Sequence, residues 1–168
     1  MPTDAFDGLH GRARVESDAA ARGLEVEIVT RPGAGSLEEA AALLGIRPAD
    51  IVKTLVVRRK TPAPVSYLLA LVPGDRQISW PKLRALLGAN KLDIPDESHA
   101  IEQTGYGRGT VTPLGASGRL PVYADTTVPG RRIALGAGEH GYSAFVDSDA
   151  LLASFSATVA DITEAAGS

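Results

Sequence analysis

The chain has 168 residues, enough for one domain with its own core and too few for two. Charged residues make up 22%, and 17 Lys plus Arg stand against 20 Asp plus Glu for a formal charge of -3. That balance argues against a protein that grips a long nucleic-acid backbone through basic excess, and the absence of Cys excludes disulfides, thiolate metal sites and a cysteine nucleophile.

No apolar run approaches the roughly 20 residues needed to span a bilayer. The N-terminal "MPTDAFDGLHGRAR" has no basic segment leading into an apolar core. A cytoplasmic, membrane-free protein is the expectation. Residues 8–22 read as a modest helix stopped by Gly23. "LEVEIVT" at 24–30 alternates Leu24, Val26 and Ile28 with Glu25 and Glu27, as a half-buried strand does. After the turn-rich "RPGAG", Ser36 caps the helix "SLEEAAALLG", Glu39 completes a capping box and Gly45 ends it.

Two apolar runs, "DIVKTLVVRR" at 50–59 and "VSYLLALV" at 65–72, are joined by "KTPAP" and predict a hairpin. "PGDR" turns the chain. Ser79 and Pro81 open the helix "WPKLRALLG", which Gly88 closes. "KLDI" predicts a short strand and "PDESHAIEQT" a short helix. A long Gly/Pro segment, "GYGRGTVTPLGASGRLP", follows, then strands at "VYADTTV", "RRIALG" and "YSAFVD". "SDALLASF" is a closing helix, and "TVADIT" runs into a polar tail. Strands and helices alternate irregularly and several strands are hairpin-connected. The fold class is therefore α/β with an α+β character, a mixed sheet with helices packed on it, rather than a doubly wound parallel sheet.

"GAGEHG" at 136–141 matches the glycine fingerprint of a dinucleotide loop. That reading requires a helix to begin at its third glycine, whereas "YSAFVDSD" follows and is rich in β-formers. The glycines are read as a turn between strands, and a nicotinamide or flavin enzyme is disfavoured. His10, His99 and His140 do not fall at the spacing of a metal motif, so neither metal nor cofactor is expected.

Lys53 stands out. It lies in a strand with Ile51, Leu55 and Val57 on its own side and Val52 and Val56 on the other, the pattern of a central, buried strand. An ammonium there is costly unless it is paired or faces a polar pocket. A strand-end lysine snorkelling to a carboxylate and a functional site weigh equally on the sequence. The segment "GYGRGTVTPLG" can bring main-chain N–H groups close to an oxyanion or phosphate; an ordinary surface loop is the competing reading. "RRK" at 58–60 reads as a solvated hairpin end.

Lys53 in "IVKTLVV", then "VPGDRQISWPKLRALLGANKL", the loop "TGYGRGTVTPLG" with the following "RLP", and the late "GAGEHG" turn occur in one register. In that order they resemble the YbaK/EbsC family, also called ProX or the prolyl-tRNA-synthetase-associated editing domain, over about residues 24–162 of a single domain spanning 1–168. The resemblance implies a mixed, curved sheet surrounded by helices. It also implies an aminoacyl-tRNA deacylase that edits in trans, typically on proline tRNA mischarged with cysteine or alanine.

By position, Lys53 and Gly109 take the catalytic places. Thr54, Gly105, Tyr106, Thr110, Val111, Thr112, Pro113 and Gly115 take substrate-binding places, with Gly136, Ala137 and Gly138 as a pocket-lining turn. Members of the family it resembles often carry Ser-Gly-Gly or Gly-Gly-His where this chain has Gly136-Ala137-Gly138, a difference that bears on substrate identity. The implied partner is the tRNA acceptor end, delivered by prolyl-tRNA synthetase or an elongation factor. The alternative is a binding module that holds a nucleotide or aminoacyl-tRNA in the same pocket without turnover.

Overall fold

The computed structural model describes Phe6 and residues 8–167. Helix α1 (Arg12–Ala21) begins at Arg12 rather than at residue 8, since Gly11 stands before it at φ 54°. Strand β1 (Glu27–Thr30) is shorter than the alternation predicts, yet Leu24 and Val26 still pack on the core. Helix α2 (Leu37–Leu44) ends at Gly45 in the left-handed region. The Ser36 hydroxyl accepts from the Glu39 N–H at 3.1 Å, whereas the Glu39 carboxylate reaches Gly35 N–H, one residue before the cap, at 2.9 Å.

After a short turn of 3-10 helix (Pro48–Asp50), β2 (Val52–Thr61) and β3 (Ser66–Pro73) form the expected hairpin. Its ladder runs from Val52↔Pro73 to Arg59↔Ser66. Next come β4 (Arg76–Ile78), α3 (Trp80–Leu87), β5 (Lys91–Asp93) and α4 (Glu97–Thr104). Beyond the irregular segment 105–121 follow β6 (Val122–Asp125), β7 (Arg132–Gly136), β8 (Tyr142–Asp147), α5 (Ser148–Ser154), β9 (Thr158–Ala160) and β10 (Thr163–Ala165).

The mixed sheet has the order β5-β2-β3-β6-β9, with β6 parallel to both β3 and β9 and the other pairs antiparallel. A second, antiparallel sheet has the order β1-β8-β7, and β4 pairs with β10. The "GAGEHG" segment is the β7–β8 connection, with β8 and not a helix after it. Two strands not predicted, β4 and β10, pair with each other, and β9, within the "TVADIT" run, extends the sheet from β6.

Alternation along β2 and β3 sends side chains to two cores. Val52, Val56, Leu69 and Leu71 join Ile133, Leu135 and Val146 of the second sheet. Val57, Leu68, Ala70 and Val72 meet Leu83 of α3 and Ile162 on the opposite face. A leucine sealed as fully as Leu83 contributes about 2–3 kcal/mol. The C-terminal strands are tied down by Asp125, whose buried carboxylate accepts from the Ile162 and Thr163 N–H groups at 3.1 Å and from the Thr127 hydroxyl. Burial pushes the Asp125 pKa up, but these hydrogen bonds outweigh it and hold the group below its usual range.

The Gly/Pro segment is held by α1. Arg14 and Asp18, both buried, bracket the Gly115 residue: Arg14 Nε and Nη2 donate to its carbonyl at 3.0 and 2.8 Å, and its N–H donates to Asp18 Oδ2 at 2.9 Å. Tyr106, also buried, donates its hydroxyl to the Leu114 carbonyl at 2.6 Å. Replacing Asp18 by Ala leaves a buried N–H without its acceptor and should cost about 1–3 kcal/mol, read as a lower urea midpoint.

Asp50 ties the start of β2 to two neighbours, accepting from Arg47 Nη2 at 2.9 Å and from Arg131 Nη1 at 2.7 Å. Arg47 first, and then Arg131, hold the carboxyl at about 2 against an ordinary 3.8, with burial opposing them. A pKa lowered on folding stabilises above the unfolded value and loses that contribution as the pH falls through the folded one. Asp50→Asn should therefore lower stability on the order of 2 kcal/mol at neutral pH. It should also remove the part of the acid-induced loss lying between about pH 4 and pH 2, measured by denaturant titration across that range.

Candidate functional site

Gly74 donates its N–H to the Ile51 carbonyl at 2.7 Å. Main-chain groups alternate sides along an antiparallel ladder, so those of residues 51, 53 and 55 face β3 and those of Val52 and Thr54 face the other way. On that other side β5 joins only at Arg58 and beyond. β2 is an inner strand of the sheet, as expected for Lys53, but its first half has no ladder partner on that side and leaves an open edge there. β7 approaches it through a single parallel bridge, Ile51 to Ala134.

A cavity of about 290 Å³ lies along this edge. Lys53 and Thr54 of β2, Gly109 and Val111 of the Gly/Pro segment, and Gly136 of β7 line it. These five come from three stretches far apart in the sequence. Leu37, Ala40 and Leu44 of α2 supply an apolar wall, and Arg31, Tyr142 and Ser143 complete the polar side. The α2 residues show the periodicity of a helix packing face and so gave no sign of a pocket. Arg31 sits in a turn-rich loop that the sequence reading passed over.

The other sequence-predicted residues stand elsewhere. Tyr106, Thr112 and Ala137 are buried, at 2%, 0% and 0% exposure, and Tyr106 and Ala137 belong to the core. Thr110 donates to the Gly107 carbonyl at 2.7 Å and its own carbonyl accepts from Gly138 N–H at 3.1 Å, which ties the segment to the β7–β8 turn. Gly115 is the residue gripped by α1, and Gly105 is the C-cap of α4. Pro113 borders a different, larger cavity of about 960 Å³ near Arg22 and Phe155.

Lys53 is half-buried. Its ammonium donates to the Arg76 carbonyl at 3.2 Å, not to a carboxylate. Burial lowers its pKa, against the pull of Asp75. Beside it, the Thr54 hydroxyl is buried and unpartnered among the described residues.

The main-chain donors of the Gly/Pro segment alternate in use. Arg108 N–H donates to Glu97 at 2.9 Å and Thr110 N–H to Gly107 at 3.1 Å. Between and after them, the N–H groups of Gly109 and Val111 reach no acceptor among the described residues, and both residues line the cavity. Gly109 stands at φ 82°, a conformation glycine adopts without strain. Gly136 allows close approach, because a Cβ there would meet the Val111 carbonyl oxygen at 2.7 Å. His140, in the β7–β8 turn, is exposed, and its Cε1 lies 3.4 Å from where a Gly109 Cβ would stand. No group of His, Asp or Glu side chains among the described residues is placed to hold a metal ion, and no helix is long and apolar enough to cross a membrane.

The aminoacyl-tRNA editing domain profile matches residues 31–153. Proline–tRNA ligase of Desulforamulus reducens is 39% identical over 111 residues, covering 66% of this chain and 19% of the ligase. That of Nitratidesulfovibrio vulgaris strain Hildenborough is 40% identical over 103 residues, covering 61% and 17%. The chain thus spans about a fifth of the length of these curated relatives. Among solved structures, hypothetical protein APE2540 superposes with a TM-score of 0.81 at 27% identity, covering 90% of this chain and 99% of that one. A protein assigned as a trans-editing enzyme for prolyl-tRNA synthetase superposes with a TM-score of 0.80 at 28% identity, covering 91% and 96%. With the profile match spanning both walls of the cavity, from Arg31 through Ser143, this chain belongs to the aminoacyl-tRNA editing domain family.

Proposed function

We propose that the chain is a trans-editing deacylase that hydrolyses the ester of mischarged tRNA, with proline tRNA carrying Cys or Ala as the substrate. The observation that carries this reading is the pair of unclaimed N–H groups, Gly109 and Val111, on one cavity with the Lys53 strand edge. The editing-domain family and the trans-editing structural relative support it.

Ester hydrolysis needs a water positioned against the carbonyl carbon and donors aimed where negative charge develops. Two main-chain N–H groups held by fixed neighbours supply such donors without reorganising during the reaction. As water adds, a C–O bond forms and charge moves to the carbonyl oxygen, which these amides receive. Collapse breaks the bond to the ribose oxygen, which takes a proton and leaves as a hydroxyl. Lys53 contributes a localised positive charge with N–H donors beyond the one given to Arg76. It holds the terminal nucleotide through its ribose or phosphate, and the vicinal ribose hydroxyl assists the water.

The cavity volume and the Leu37, Ala40 and Leu44 wall suit a small aminoacyl side chain. Prolyl-tRNA synthetase or an elongation factor delivers the substrate, consistent with a chain of net charge -3 making few phosphate contacts itself.

Lys53→Ala should lower kcat/KM on Cys- or Ala-charged proline tRNA by about 100-fold or more while the melting curve and circular dichroism stay those of a folded protein. Activity equal to the parent would refute the role given to Lys53. Gly136→Ala should push the Val111 carbonyl away and displace the neighbouring amides, so kcat should fall roughly tenfold or more with a smaller change in KM. A panel of mischarged tRNAs identifies the amino acid removed, and binding without turnover across the whole panel would overturn the deacylase reading.

A further inference from the structure

The cavity wall carries two cations, Lys53 and Arg31, and no Asp or Glu among its described lining residues. Elsewhere Arg22, Arg58 and Arg132 each meet a carboxylate. Arg31 does not. Its N–H donates to the Gly141 carbonyl at 2.8 Å, which fixes its backbone at the end of β1 beside β8. Its Nε donates to the Ser143 hydroxyl at 3.1 Å, which fixes the start of the guanidinium. The two terminal nitrogens of the fork have no partner among the described residues, and the side chain is only partly exposed.

A guanidinium held at Nε, on the wall of a cavity with no Asp or Glu among its described lining residues, suits a tetrahedral oxyanion that accepts two parallel hydrogen bonds. A carboxylate would fit the fork as well. The proposed occupant, however, carries its only formal negative charges on phosphates, since its amino acid is esterified.

We infer that Arg31 binds the phosphate on the 5′ side of the terminal nucleoside, positioned by Ser143, while the opposite wall takes the esterified end. This assignment rests on the reading of the cavity as the seat of an aminoacyl-tRNA tip, and adds to it the contact that orients the tip. It also accounts for how an acidic chain holds its substrate: one phosphate is gripped bidentately where the cavity wall limits screening, and a basic surface is not needed.

The test uses two non-hydrolysable probes, the alanyl amide of 3′-amino-3′-deoxyadenosine with and without a 5′-phosphate, titrated calorimetrically into the full chain. The parent should bind the phosphorylated probe at least about tenfold more tightly, a preference that shrinks as salt is raised. Arg31→Gln should narrow the preference to within about twofold, and Arg31→Lys, which keeps the charge but loses the fork, should fall between. Ser143→Ala should also give an intermediate preference, because the charge remains but its anchor is gone.

Melting curves establish that each variant is folded, and the Lys variant carries the comparison should the Gln variant not fold. No preference in the parent, or an undiminished one in Arg31→Gln, overturns the assignment. Turnover of mischarged tRNA without phosphate preference removes this contact alone. Phosphate preference without turnover on any mischarged tRNA removes the deacylase reading and leaves the contact standing.

Discussion

The arrangement of the cavity depends on two buried polar side chains of the first helix. Arg14 and Asp18 take hold of the carbonyl and the N–H of one glycine residue, Gly115, within the Gly/Pro segment. Glycine-rich backbone has the most conformational freedom to lose on folding, so a segment of this composition keeps one shape only when its hydrogen-bonding groups are spoken for. Here they are, by α1 at Gly115, by Glu97 at Arg108 and by the β7–β8 turn at Thr110. The two amides left over, at Gly109 and Val111, belong to residues that line the cavity. Leaving buried polar groups without partners costs more than the bonds themselves return, so losing either side of the bracket penalises this shape of the segment.

The second wall follows from an incomplete sheet. β2 is fully paired with β3 along the hairpin but covered by β5 only at its far end. An open edge is a hazard in most proteins. In this fold the approach of β7 and α2 shelters it, and the space between them becomes the cavity. Thr54 and Lys53 sit on that stretch because a strand turns successive side chains to opposite faces, giving one residue to each side of the sheet. The Thr54 hydroxyl is buried and unpartnered among the described residues, and burial keeps the Lys53 ammonium below its usual pKa.

Charge is placed locally on a chain that is acidic overall. Two cations line the cavity, while carboxylates are engaged elsewhere as structural acceptors: Asp18 at Gly115, Asp50 between Arg47 and Arg131, and Asp125 under the C-terminal strands. Each meets main-chain or guanidinium donors. Net charge therefore says little about the cavity, whose described lining includes no Asp or Glu.

Local chemistry in the chain was enough to determine the capped helices, the β2–β3 hairpin and the glycine turn. Ser36, Gly45, Gly88 and the apolar runs of 50–59 and 65–72 act over a few residues, and nothing in the fold opposed them. The order of its motifs was also enough to place it in an editing family, with Lys53, Thr54, Gly109, Val111 and Gly136 meeting at one cavity. Only the tertiary structure decided the rest. Strands β4, β9 and β10, three residues each, have no period to read and exist because a neighbour presents an edge. Tyr106, Thr112 and Ala137 went to the interior while Gly109 and Val111 turned to the cavity, since composition reports a loop's freedom and not its direction. Arg31 and the α2 wall joined the site through contacts between residues distant in the chain, and such contacts leave no local pattern.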